Sequence, residues 1–111
     1  MHTPPMNYTY TLWTNVGSGF RRIYQPGDTI VRGFCGTIEA SNVDEAADRL
    51  FARHNSDGRP DGQIAPSMSV GDVIEFNACA VSVADIGFAV VIIADRDRVT
   101  DRSWSEVVAQ R

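Results

Sequence analysis

The chain contains no lysine. All ten of its basic residues are Arg, set against 14 acidic ones for a net charge of −4 over 111 residues. A Gly-Lys-Ser phosphate loop is therefore excluded, and Gly17-Ser18-Gly19 is not followed by a helix start. The small acidic excess favours solubility and works against non-specific attraction to phosphate, yet it is too dispersed to imitate DNA. Exclusive use of Arg fits either a GC-rich genome or a need for bidentate recognition of carboxylate or phosphate. Cysteine is scarce as well: Cys35 and Cys79 are too few and too far apart for a disulfide framework. Each has apolar, strand-like neighbours, so buried reduced thiols are expected, with a single bridge as the alternative. No apolar run approaches the roughly 20 residues of a membrane span, and no membrane role is expected. The opening MHTPPMNYTYTLW lacks the basic start and apolar stretch of a secretory signal, which points to the bacterial cytoplasm.

Catalytic and metal-binding patterns are missing too. His2, His54, Cys35 and Cys79 show no paired-ligand spacing. Asn55-x-Asp57 has the opening of a calcium loop, but Arg59 and Pro60 stand where a further oxygen ligand and a glycine belong. His54 is the one credible general base, and its place at the end of an apolar helical stripe suits a capping or interfacial role better. Asp57, Asp61 and Asp72 each adjoin Gly or Pro, so they read as turn residues rather than an acid–base cluster. The expectation is a non-enzyme without cofactor or metal.

What is present is ordinary globular patterning, 43% hydrophobic and 22% charged. Residues 1–7, with two prolines, read as a flexible arm, and 8–111 as one α+β domain. YTYTLWTNV (8–16) is a strand by its Tyr, Thr and Trp content. Phe20–Tyr24 is ambiguous, and Gln25-Pro26-Gly27-Asp28 is a turn. Thr29–Ile38 is a strand in which Gly33 and Gly36 imply a bulge or a close backbone approach. Asn42–His54 is the clearest helix: Val43, Ala46, Ala47, Leu50 and Phe51 share one face, with Asn42 and Glu45 in capping-box spacing. Val73–Phe76 and Ala80–Val83 read as a hairpin. The β-branched run Phe88–Ala94 reads as an interior strand covered on both faces. Asp95–Asp101, with alternating charge, reads as a solvated connector, and Ser103–Gln110 as a short C-terminal helix. The resulting fold is a mainly antiparallel sheet of four to six strands, with the helix packed across it through Val43, Ala47, Leu50 and Phe51.

Two surfaces are candidates for function. The turn-rich loop Asn55–Pro66, with Asn55, Asp57, Arg59 and Asp61, is long enough to serve recognition on a rigid scaffold. Phe20, Arg21, Arg22, Tyr24 and Arg32 form a basic–aromatic group that would let a sheet face stack bases and hold phosphates. An edge strand kept soluble by charge explains the same residues.

The phrase Ser67-Met68-Ser69-Val70-Gly71-Asp72-Val73-Ile74, followed by Ile86-Gly87-Phe88, resembles the C-terminal half of the small YodL-like domains of mobile genetic elements. There a Ser-rich phrase ending in SVSDVV or SVGDVI leads into a strand, and an SIGF-like phrase follows. Phe51-Ala52-Arg53-His54-Asn55 is similar to the end of the helix that precedes it in that family, and the likeness covers roughly residues 43–90. The resemblance implies a phage- or plasmid-encoded accessory protein, of an actinobacterial host or its phage, that binds a host or element-encoded protein. It carries no reaction and transfers no catalytic residue. Val70-Gly71-Asp72 before a strand is also similar to the corner of PUA-like and ASCH-like barrels, which keeps RNA or DNA binding as the alternative. By its own chemistry the phrase is a structural corner: Gly71 accommodates positive φ, Asp72 closes a turn, and Met68 and Val70 point inward.

Overall fold

The strands build one six-stranded sheet. In the computed structural model, which describes residues 6–16, 22–54, 70–77 and 79–100, they are β1 (Met6–Asn15), β2 (Ile30–Ala40), β3 (Val73–Phe76), β4 (Ala80–Val83), β5 (Phe88–Val91) and β6 (Arg98–Val99). The helix α1 (Val43–His54) lies between β2 and β3 in sequence. The strand order is β5-β4-β3-β1-β2-β6, antiparallel throughout except for the short parallel pair β2–β6. The expected α+β class and mainly antiparallel sheet are found, at the upper end of the expected strand number. The segment expected as a C-terminal helix lies outside the described residues.

Local chemistry accounts for most of these elements. The long β1–β2 ladder carries its bulge on β2: Thr11 faces Cys35 and Trp13 faces Arg32, so Leu12 is opposed by both Gly33 and Phe34. The Gly33 anticipated as a bulge is thus part of one. At the start of α1, the Asn42 side-chain oxygen accepts the Glu45 N–H at 2.8 Å. Glu45 itself pairs with Arg49 one turn on, at 2.8 Å. Arg49 also donates to the Glu39 carbonyl at 2.7 Å, fastening the helix to β2.

The sheet buries both faces. Toward α1, Tyr10, Leu12, Ile38, Ala40, Ile74, Phe76, Val81 and Val83 meet Ala46, Ala47 and Leu50, with Val43 and Phe51 at the margin. This is the helix face that the periodicity specifies. On the other face, Trp13, Tyr24, Ile30, Val73 and Ala80 form a second cluster, joined by Val91 and Ile93. Residues 92–97 carry the chain from the β5 edge to the β6 edge, and half of this connector is a 3-10 turn, Asp95–Asp97. It falls short of the roughly 24 Å that five strand spacings need in a flat sheet. The sheet therefore curls around the second cluster.

Several expectations are corrected here. Met6 and Asn7, assigned to the arm, pair with Ala40 and Glu39 and begin β1. The ambiguous segment Phe20–Tyr24 is irregular over its described residues, Arg22 to Tyr24. Phe88–Ala94 is not an interior strand: β5 ends at Val91 and is an outer strand, with Val90 77% exposed and Ile92 87% exposed. The connector after it is not simply solvated, since Asp97 is buried and Arg98–Val99 pairs with β2. Both cysteines are free thiols but neither is buried: Cys35 is exposed opposite Thr11, and Cys79 is partly exposed.

Candidate interaction edge

Two places in the described residues gather polar or apolar groups in an arrangement that calls for explanation. The first is a buried polar network under the second cluster. Asp28 ends the expected turn, in which Gly27 has φ +102° and the Asp28 N–H donates to the Gln25 carbonyl at 3.0 Å. Its carboxylate takes two hydrogen bonds from the Arg22 guanidinium, at 2.8 and 2.9 Å, and others from the Asn15 side chain and the Gln25 N–H, both at 3.1 Å. Arg22 holds the Asp28 carboxyl below its ordinary pKa, with burial opposing and the Asn15 and Gln25 donors assisting. Asp97 accepts the Tyr24 hydroxyl in a short hydrogen bond and the Gly27 N–H at 2.9 Å. These two donors, Tyr24 first, lower its pKa. Burial, followed by the bond to Asp97, raises that of Tyr24. The Tyr24 oxygen in turn accepts the Ala94 N–H at 3.1 Å.

The corner phrase joins this network. Gly71 has φ +98°, and a Cβ there would lie 2.9 Å from the Arg22 carbonyl oxygen, so glycine is required on both counts. Its N–H donates to the Val83 carbonyl at 2.9 Å, and the Asp72 carbonyl accepts the Val83 N–H at 2.9 Å. The Asp72 carboxylate accepts the Asn15 N–H at 3.0 Å, and Ser82 bridges the Asp72 carbonyl to the Tyr24 N–H. The corner reading of Val70-Gly71-Asp72 is thus realised in hydrogen bonds, with half-buried Val70 turned to the core; Met68 lies outside the described residues. Every carboxylate here has donors, so the network works as a clamp that fixes three chain segments. Beside it, Arg98 lies over the Trp13 ring, 5.7 Å from its centroid, and bonds Glu75 at 2.6 Å and Asp95. Among the described residues no group of His, Cys, Asp and Glu side chains gathers as a metal site would need, and no helix is long and apolar enough to cross a membrane.

The second place is the free edge of β5. The Ala84 N–H donates to the Gly87 carbonyl, which sets the phase of the β4–β5 ladder. Ala84–Gly87, Ser82–Ala89 and Ala80–Val91 are then the hydrogen-bonded pairs, so Phe88 and Val90 aim their N–H and C=O groups away from β4. Among the described residues no strand pairs with that edge. Ile86 is 95% exposed and, with Val90 and Ile92, gives an apolar stripe at alternate positions. Phe88, half-buried, lies between Ile86 and Val90, and its ring meets Phe51 of α1 edge-on at 6.2 Å. A groove of about 230 Å³ opens there, lined by Asp48, Phe51, Val83, Asp85 and Phe88 among others. An exposed apolar edge without Pro or a charge to block pairing is a template for another strand.

The residues singled out from sequence divide between those within and those outside the described residues. Asn55, Asp57, Arg59 and Asp61 lie outside the described residues, as do Phe20, Arg21 and the His54 side chain. Tyr24 is only 2% exposed and bound to Asp97, so it offers no ring for base stacking. Arg22 is paired with Asp28, while Arg32 is exposed opposite Trp13. The proposed nucleic-acid face is therefore not assembled by its described members. The β5 edge was missed because the uncharged run that signals it reads equally as a buried strand. Compared with protein-family models, curated proteins and solved structures, the chain matches none.

Proposed function

We propose that this chain is a non-catalytic accessory protein of a phage or plasmid, acting by binding a host or element-encoded protein. The observation that carries the binding reading is the β5 edge: outward-facing backbone groups at Phe88 and Val90 flanked by exposed Ile86, Val90 and Ile92. Strand addition from a partner would satisfy those groups, and the alternate apolar side chains would supply selectivity. The mobile-element setting rests on the resemblance of Ser67–Ile74 and Ile86–Phe88 to YodL-like domains. RNA or DNA binding is the second reading; among the described members of its proposed face, exposed Arg32 is the one that favours it.

Affinity capture from lysate of a bacterial host, at low and moderate salt, tests the first reading. The expected result is a protein retained by wild type and lost with Val90→Arg, which sets a charge on the edge. Retention of nothing above background, or retention indifferent to that substitution, counts against it. Titration with labelled single-stranded and duplex oligonucleotides tests the second, since phosphate contacts give an affinity that falls steeply with salt.

A further inference from the structure

We propose, resting on the reading of β5 as an interaction edge, that its partner is an extended peptide segment, basic at its end and apolar at alternate positions. The groove beside the edge opens between α1 and the β4–β5 connection at residues 84–87. Its lining includes the carboxylates of Asp48 and Asp85 and no cation. Among the described residues neither carboxylate has an ion-pair partner. Asp44, exposed one turn before Asp48, lengthens the acidic side of the helix. The cations of α1 are committed to the opposite side: Arg49 and Arg53 donate to the Glu39 and Thr37 carbonyls of β2, at 2.7 and 3.4 Å. The helix thus turns its arginines toward β2 and Asp48 toward the open edge.

Backbone geometry defines the rest of the segment. The outward N–H and C=O groups of Phe88 and Val90 bond the main chain of an added strand. Phe88 and Val90 pair with Val83 and Val81 of the helix-side core, so residues set opposite them place their side chains on the face that α1 covers. Apolar side chains there extend the contact of Phe88 with Phe51 and cover exposed Val90. Residues 86–94 carry no charge, so the alternate positions meet only uncharged strand. A Lys or Arg at the end beside Gly87 enters the groove that holds Asp48 and Asp85. A four-residue strand and its groove offer less than the roughly 800 Å² per partner of a standard stable interface. That suits a peptide held weakly by main-chain bonds rather than a second folded domain. The net charge of −4 favours a basic partner over an acidic one, and salt screens the preference.

NMR titration of the full chain with synthetic peptides decides the matter. The probe is a capped peptide of alternating Val and Thr with Arg at both ends. One control carries Glu at both ends, and another keeps Arg but has its backbone nitrogens methylated. The Arg peptide should shift the amide signals of Phe88 and Val90 and slow their hydrogen exchange. At low salt it should bind about three- to tenfold more tightly than the Glu peptide. That ratio should shrink as salt is raised. Methylation should abolish binding, since the added strand then has no N–H to donate. Asp48→Asn combined with Asp85→Asn, both exposed and outside the core, should cut the ratio to about twofold. Equal affinity for the Arg and Glu peptides, a ratio unmoved by the two Asn substitutions, or shifts that spare Phe88 and Val90 overturns the proposal. So does the absence of any binding. If Val90→Arg nonetheless abolishes capture of a host protein, only the basic class of partner falls and the edge reading survives. Capture indifferent to Val90→Arg removes both.

Discussion

The two faces of the sheet are closed by different physics. On one, α1 lays Ala46, Ala47 and Leu50 against strand side chains, and the closure is apolar packing. On the other, irregular segments are drawn over Trp13, Ile30 and Val73, and buried carboxylates at Asp28 and Asp97 hold them there. A helix satisfies its own backbone, so an apolar stripe is enough to dock it. An irregular segment brings unpaired N–H groups inward, and each needs an acceptor. Asp28 accepts the Gln25 N–H, Asp97 that of Gly27, Ser82 that of Tyr24, and the Tyr24 hydroxyl that of Ala94. The helix face should thus be nearly indifferent to pH, while the opposite face should not.

The largest effect is expected on the helix face. Leu50→Ala should cost about 2–5 kcal/mol in chemical denaturation, much of the stability of a domain this size. A melting point within a degree of wild type would show that α1 does not close the core. Tyr24→Phe comes next, at about 1–3 kcal/mol, because it strands the Ala94 N–H and removes a donor to Asp97. A cost as large as that of Leu50→Ala would mean that the polar face, not the apolar one, dominates the fold.

The pH dependence separates the faces more sharply. Asp28 and Asp97 have folded pKa values below the ordinary 3.8, so their contribution is complete above that value and is lost as pH falls through it toward the folded values. Tyr24 is raised above its ordinary 10.0, so the stability it contributes is present below 10.0 and fades as pH climbs through the folded value. Asp97→Asn should flatten the acid limb of stability measured from about pH 5 to about pH 2, and Leu50→Ala should leave its slope unchanged. Equal slopes in wild type and Asp97→Asn would remove Asp97 from the account.

Smaller effects lie at the surface. Asn42→Ala removes the helix cap and should cost about 1 kcal/mol, read as a lower unfolding midpoint with unchanged denaturant slope. Val90→Arg should change monomer stability by no more than about 0.5 kcal/mol, since the side chain is 77% exposed. A larger loss would mean that Val90 belongs to the core and that β5 is not a free edge.

Legibility from sequence divides along the same line. The helix was readable to its cap because apolar spacing and the Asn42–Glu45 signal act within a few residues. The turn at Pro26-Gly27, the bulge at Gly33 and the corner at Gly71 were readable for the same reason. Asp97 read as solvated because its partner Tyr24 is 73 residues away, and Tyr24 read as a base-stacking surface for want of the same fact. The uncharged run after Ile86 announced a strand but not its neighbours. The four loop residues named as a binding site lie outside the described residues, and the edge that the structure offers instead was hidden in that run.

The sequence by itself determined where the chain bends, which helix face is apolar and that the strands are mostly joined as antiparallel neighbours, because turn chemistry and periodicity are short-range. Only the tertiary structure decided which strand lies at the edge, which carboxylates are buried and which apolar side chains remain exposed. Those outcomes depend on strand order and on hydrogen bonds spanning 57 to 73 residues, such as Asn15 to Asp72 and Tyr24 to Asp97, and no local pattern encodes the far partner.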